Sequence, residues 1–261
     1  MNILIPALAI GAIGLFFGAL LAFASIVFKV EKDERIDQVL ECLPGANCGG
    51  CGYTGCSALA EAIVNNGESA TKCNLMTDEK NAIVCAIMGI AANKVEKKTA
   101  RLKCAGTSEH CVNKYDFTGI DDCFTAMLLN GGPKSCQYGC MGLGSCMAVC
   151  EFDAITIENG IAHIDDEKCA GCARCTAACP KGIIEMVPKR NRVYVSCSST
   201  DKGAQVKNYC DTGCIGCKLC EKKCEAEAIK VENNLAKIDY SKCTDCGACA
   251  DACPKKIIVR M

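Results

Sequence analysis

Twenty-seven of the 261 residues are cysteine, and most stand two or three positions apart. The stretch "CAGCARCTAACP" fills residues 169–180 and "CTDCGACADACP" residues 243–254, with the same spacing in both. Disulfide scaffolds, zinc sites and iron–sulfur clusters all use cysteine at such density. A C-x-x-C-x-x-C run is too tight for independent disulfides, because bridged residues need compatible Cβ geometry. The odd cysteine count and the length of the chain also argue against a disulfide scaffold. Zinc competes for any single group of four thiols, but the repeated runs favour iron–sulfur clusters.

Sliding the sequence against itself by 74 residues lays Cys169, Cys172, Cys175 and Cys179 on Cys243, Cys246, Cys249 and Cys253. Cys140, Cys146 and Cys150 fall on Cys214, Cys220 and Cys224, Cys136 on Cys210, and Cys123 on Cys197. Between the runs, "AITIENGIAHID" (154–165) matches "AIKVENNLAKID" (228–239). Each reads as strand, two-residue turn, strand, with Asn159-Gly160 a type I′ signal. One supersecondary unit is duplicated. Paired C-x2-C-x2-C-x3-C runs are the two-cluster ferredoxin arrangement, in which the fourth cysteine of each run reaches the other cluster. Three close thiols wrap one face of a cubane, and the next step starts a helix that carries its thiol across. The second unit is therefore read as two sets: Cys214, Cys217, Cys220 and Cys253; then Cys243, Cys246, Cys249 and Cys224. The first unit gives Cys169, Cys172, Cys175 and Cys150. Its other set has Cys140, Cys146 and Cys179, but Leu143 stands where the second unit has Cys217. Cys136 is the nearest candidate for the missing ligand, and a three-iron cluster is the alternative. A sixth cluster is conceivable from Cys104, Cys111 and Cys123 with Cys197 or Cys210. His110 and His163 read as solvated.

An earlier block, "LPGANCGGCGYTGC" (43–56), sets Cys48, Cys51 and Cys56 among five glycines. Glycines let backbone wrap a cluster and point N–H groups at sulfur. A helix from Ser57 to about Asn65 and a loop then deliver Cys73 as the fourth thiol. Residues 78–93 read as a helix capped by Asp78, with Cys85 on its apolar face; Cys85 and Cys42 read as buried free thiols.

These sites need elements to hold them, and few aromatic residues are present to build a core (5 %, no Trp). Metal–thiolate bonds are expected to supply much of the folding energy. The formal charge of −1 gives no footprint for nucleic acid. Residues 3–28 contain no charged side chain, long enough for a membrane helix. Lys29, Lys32 and Arg35 follow, with nothing basic before, so the C-terminal bulk is expected in the cytoplasm. The segment lacks the basic start and short apolar core of a cleaved signal peptide, and so reads as a retained single-pass anchor. Gly14 and Gly18 offer a small-xxx-small face to a neighbouring helix. The expected class is α+β: an anchor (1–30), a glycine-rich 4Fe-4S domain (31–95), a cysteine-containing connector (96–135), then ferredoxin units at 136–190 and 191–261. Five or six clusters, mostly 4Fe-4S, follow. No dinucleotide fingerprint and no hydrolytic triad appear, so the chain reads as an electron wire with no bond-making site.

The anchor, "LPGANCGGCGYTGC…C" and the two ferredoxin units in this order resemble the B subunit of the Rnf complex along essentially the whole chain. That resemblance implies a membrane-bound, ion-translocating ferredoxin:NAD oxidoreductase. Its B subunit takes electrons from reduced ferredoxin and works beside other membrane and peripheral subunits. The second ferredoxin unit marks an extended variant. With no carboxylate in the apolar span, the ion path is expected in partner subunits. A membrane-tethered polyferredoxin serving another redox enzyme, without ion pumping, is the alternative. "PKRNRVY" (188–194) gathers Lys189, Arg190 and Arg192, with Lys181 upstream, as a candidate dock for an acidic ferredoxin.

The crossed assignment is checked by Cys224→Ala. The EPR signal of the cluster on Cys243, Cys246 and Cys249 should be lost or altered, while that on Cys214, Cys217 and Cys220 persists; the reverse pattern contradicts the crossing.

Overall fold

The computed structural model describes residues 4–27 and 33–261. Lys29 and Lys32, on which the expected orientation of the N-terminal segment rests, lie outside the described residues. Helix α1 (Leu4–Val27) runs 24 residues with no charged side chain. Every side chain from Ile10 to Phe23 is exposed. A β-carbon at Gly14 or Gly18 would meet nothing. Among the described residues no helix is long and apolar enough to cross a membrane.

Three helices build the next domain: α2 (Glu34–Cys42), α3 (Cys56–Asn66) and α4 (Asp78–Met88). Asp33 caps α2 by accepting the Arg35 N–H at 2.9 Å. Thr77, one residue before the expected cap, holds α4 by accepting the Lys80 N–H at 3.3 Å. That helix stops at Gly89, whose φ of 67° turns the chain left-handed, rather than running to residue 93. Val39, Leu59, Ile63, Met76 and Val84 form the buried core. Cys85 is buried beside Asn81, whereas Cys42 is only half-buried.

The first ferredoxin-like unit contains β1 (Lys98–Leu102), α5 (Cys123–Leu128), α6 (Ser145–Ala148), β2 (Ile155–Glu158), β3 (Ile161–Ile164), α7 (Arg174–Ala178) and β4 (Ile184–Pro188). The second contains β5 (Val193–Val195), α8 (Gly203–Val206), α9 (Leu219–Lys223), β6 (Ile229–Glu232), β7 (Leu235–Ile238), α10 (Ala248–Asp251) and β8 (Ile258–Arg260). Both hairpins, β2–β3 and β6–β7, are antiparallel and in equivalent register, with Ile155 opposite Ile164 and Ile229 opposite Ile238. Asn159 and Gly160 both have positive φ, 48° and 75°, as a type I′ turn demands. Each unit closes with a second antiparallel pair, β1 with β4 and β5 with β8. Strand β1 comes from the 96–135 segment, where an irregular connector is expected.

The duplication extends to the backbone. Unit 1 positions 142, 144, 153, 159, 160, 171, 173 and 182 have positive φ, and each recurs 74 residues later. In unit 1 the non-glycine residues among them are Asp153, Asn159 and Ala173; in unit 2 they are Lys218, Glu227, Asn233, Asn234, Asp245 and Lys256. The opening strands break the 74-residue register. Leu102 precedes Cys140 by 38 residues, whereas Val195 precedes Cys214 by 19. The extra length in unit 1 carries Cys111 and Cys123.

Two close contacts tie the parts together. Gly50 of the first domain lies against the Cys172 carbonyl, 1.7 Å from where a β-carbon would sit, so only glycine fits there. In unit 1 the buried Arg101 pairs with Asp166, which also accepts the Thr99 hydroxyl at 2.8 Å. The Arg101 guanidinium stacks over Tyr194 of unit 2, 5.3 Å from the ring centre. Removing the carboxylate leaves a buried cation unpaired, at a cost of about 3–5 kcal/mol. Asp166→Ala should therefore lower the thermal midpoint of the holo-protein markedly, while an exposed control, Glu167→Ala, leaves it within a degree or so.

Candidate metal centres

Four cavities, with empty volumes of about 340, 330, 360 and 340 Å³, are each lined by at least four cysteines. Cys150 joins Cys169, Cys172 and Cys175 around one. Cys253 joins Cys214, Cys217 and Cys220 around another. In both, the fourth thiol arrives from the other run, as the ferredoxin pattern requires. The cause is local: α7, α9 and α10 are short helices that start at a left-handed residue, Ala173, Lys218 and Gly247. The next thiol of each run, Cys179, Cys224 or Cys253, follows directly or two residues after its helix ends and points away from its own run.

The third cavity gathers a different fourth thiol from the one the sequence suggests. Cys140, Cys146 and Cys179 line it with Cys123, not with Cys136. Leu143 lies in the same wall, where the sequence repeat loses its cysteine. Cys123 begins α5, and its N–H donates to the Ser145 hydroxyl at 2.8 Å. That hydroxyl donates to Asp122 at 2.9 Å, and Asp122 caps α5 through the Thr125 N–H at 2.7 Å. This chain of bonds folds α5 back onto α6, bringing a thiol 20 residues away in sequence into the gap left by Leu143. Cys136 lines the fourth cavity instead, at the junction of the two units, with Cys104, Cys111, Cys197 and Cys210.

Two further thiol groups show themselves through their electrostatics. Burial pushes Cys249 up to about 11, and the neighbouring Cys224, Cys243 and Cys246 thiols add to the shift. Burial likewise raises Cys73, with Cys51, Cys56 and Cys48 beside it. In that first group, Asn47 shapes the glycine loop by accepting the Cys56 N–H on its side-chain oxygen at 2.8 Å. Elsewhere burial pushes Cys146 and Cys175 to about 12 and Cys220 to about 11. Cys146, Cys175, Cys220 and Cys249 are therefore protonated at neutral pH without metal, and loading a metal on them must release those protons.

Among the described residues no three Cys, His, Asp or Glu side chains converge tightly enough to hold a single metal ion. A lone zinc needs sulfur atoms about 2.3 Å from one point. The thiols instead ring cavities of nearly uniform size, and backbone N–H groups donate to several of the sulfurs. Ala228 donates to Cys224 at 3.3 Å, Asp245 to Cys243 at 3.4 Å and Ala100 to Cys169 at 3.5 Å. Such donors stabilise the charge of a bound cluster. The donor set fits four-iron clusters. His110 and His163 are exposed and stand apart from these groups.

The basic link is less free than its sequence implies. Lys189 donates to the Asp166 carbonyl at 2.9 Å, Arg190 pairs with Glu96 at 3.2 Å, and Lys181 donates to the carbonyls of Gly131 and Gln137. Cys217 and Cys246, by contrast, are exposed thiols.

Fold and site together define a multi-cluster iron–sulfur electron carrier. A family profile described as an Fe-S cluster matches residues 43–74, and two 4Fe-4S dicluster domain profiles match 135–183 and 213–258. The chain is 47 % identical over 257 residues to the B subunit of the Na(+)-translocating ferredoxin:NAD(+) oxidoreductase complex of Acetobacterium woodii, covering 98 % of this chain and 77 % of that one. It is 43 % identical to the B subunit of the ion-translocating oxidoreductase complex of Methanosarcina acetivorans, covering 98 % of each. It is 41 % identical to the B subunit of the proton-translocating ferredoxin:NAD(+) oxidoreductase complex of Clostridium ljungdahlii, over 97 % of this chain and 91 % of that one. The chain belongs to this family of B subunits, and is an electron-transfer subunit of an ion-translocating ferredoxin:NAD oxidoreductase complex.

The role of Cys123 is checked by cluster counting. Cys123→Ala should cost one four-iron cluster or convert it to a three-iron form, visible by EPR. Adding Leu143→Cys, which recreates the arrangement of the second unit, should restore the signal.

Proposed function

We propose that this chain is the membrane-anchored entry wire of its complex, accepting electrons from reduced ferredoxin and handing them to partner subunits. Bound four-iron clusters supply one-electron carriers. The proposed ligand sets are Cys48, Cys51, Cys56 and Cys73; Cys150, Cys169, Cys172 and Cys175; Cys123, Cys140, Cys146 and Cys179; Cys214, Cys217, Cys220 and Cys253; and Cys224, Cys243, Cys246 and Cys249. The observation that carries the reading is the run of thiol-ringed cavities through the units. The Gly50–Cys172 contact continues that run into the first domain. Functionally, residues 31–95 form one cluster domain. The two ferredoxin units begin at their opening strands, near residues 98 and 193.

Helix α1 carries no charged side chain and is exposed from Ile10 to Phe23. Such a helix belongs in a bilayer, and Arg35 just beyond it favours the cytoplasmic side for the bulk of the chain. Full-length protein should float with liposomes, whereas residues 31–261 should stay in the aqueous fraction with the same iron content.

Ferredoxin is read to dock on unit 2, over the exposed Cys217, because Lys218 and Lys255 line the same cavity mouth. Exposed charges of this kind steer encounter with an acidic partner. Stopped-flow reduction by ferredoxin should slow several-fold at low salt in Lys218→Glu/Lys255→Glu, and the difference should shrink at high salt. An unchanged low-salt rate overturns this docking site.

A further inference from the structure

Among the described residues outside α1, eleven large apolar side chains are exposed, and five of them fall within ten residues: Ile120, Phe124, Met127, Leu128 and Leu129. Ile120 is 75 % exposed, Phe124 51 % and Leu128 85 %. A folded chain rarely gathers so many large apolar side chains in water without a use for them. We propose that this face of α5 is the seat of a partner subunit of the complex, one that presents an apolar surface rimmed by lysine and arginine. The proposal goes beyond the wire reading: it rests on the chain's membership of the complex and not on where ferredoxin docks.

Helical spacing builds the face. Cys123 and Ala126 point inward, buried beside Met141. Phe124 and Leu128 are four residues apart and so share the other side of α5, with Met127 next to them. Ile120 stands just before the helix. Both ends are pinned. Asp122 accepts the Thr125 N–H at 2.7 Å at the start. Past the end, the Tyr115 hydroxyl donates to the Leu129 carbonyl at 2.6 Å and the Lys114 ammonium to the Asn130 carbonyl at 2.7 Å.

Delivery of a thiol does not account for this face. Helix α5 lies in the extra length by which the opening of unit 1 exceeds that of unit 2. Unit 2, built on the same plan without it, exposes only Leu219 and Met261 among its large apolar side chains. Bringing Cys123 to its cavity needs the inward side of α5 alone. A helix facing only water would carry polar residues at 124 and 128.

Charge narrows the occupant. Residues 112–132 contain Asp116, Asp121 and Asp122 against one base, Lys114. Asp116 and Asp121 are exposed, and among the described residues no ion pair engages any of the three. An acidic rim repels an acidic ferredoxin, an anionic bilayer surface and a second copy of the same face. It attracts a basic one. Cys123, which lines the cavity of Cys140, Cys146 and Cys179, directly precedes Phe124, so a subunit seated here lies beside that site.

The test is photo-crosslinking in the complex itself, with the chain co-expressed and purified together with its partner subunits. p-Benzoylphenylalanine placed at Leu128, or at Ile120, should crosslink to another subunit, within a peptide in which lysine and arginine outnumber aspartate and glutamate; mass spectrometry identifies the peptide. Crosslinks only within this chain, to a second copy, to ferredoxin, to lipid or to nothing overturn the proposal. A product in an acidic peptide also overturns it, as does the same product from a label at Lys230, exposed on the hairpin of unit 2. Asp116→Lys/Asp121→Lys should cut the yield at Leu128 several-fold at low salt, and an unchanged yield overturns the basic rim. Iron content equal to wild type shows that a labelled variant has folded; where one position fails this check, the other is read. Crosslinking needs no ferredoxin and no electron flow, so a failure of the docking reading leaves this result untouched.

Discussion

Everything in this molecule answers to one geometric demand: four sulfurs must converge on a space large enough for a cubane. Short helices entered through left-handed residues, tight hairpins and small residues at contact points all follow from it. The core reflects the same demand. Its three larger clusters of buried side chains contain cysteines among aliphatic residues. With so few aromatic residues to bury, thiols make up much of the interior, and burial raises the proton affinity of Cys146, Cys175, Cys220 and Cys249. The same crossing of thiols between runs makes paired sites interdependent. Neither cavity of a unit can be complete unless the other's helix is also in place.

Much of this was legible in the spacing of the cysteines. A run of three close thiols followed by a fourth after three residues leaves little choice of geometry, and the crossed pairs emerge from it directly. The hairpins were legible because Asn-Gly between alternating residues specifies a turn that twists with its strands. The glycine-rich block showed its purpose because few other reasons place five glycines among three cysteines.

What the sequence hid was tertiary. Cys136 is nearer than Cys123 to the run that lacks a ligand, but nearness along the chain does not decide the matter. The bonds among Asp122, Ser145 and the Cys123 N–H, which tie the start of α5 to the start of α6, place Cys123 at that cavity instead. Strand β1 was equally hidden, since its partner β4 lies more than 80 residues on and the 74-residue register does not reach it. The helix cap at Thr77 rather than Asp78 is a smaller case, in which two adjacent residues can each accept the same kind of bond. The basic link is a different case: charges adjacent in sequence look unpaired, whereas in the fold Lys181, Lys189 and Arg190 each have a partner.

The repeated backbone carries one more consequence. The two units share eight left-handed positions, yet unit 2 fills them with side chains far more often, including Lys218, Glu227 and Lys256. A residue with a β-carbon pays about 1–2 kcal/mol to stay there. In unit 1 glycine removes most of that strain, whereas in unit 2 the thiol–metal bonds must hold it. Loss of the metal should therefore release more backbone strain in the second unit than in the first.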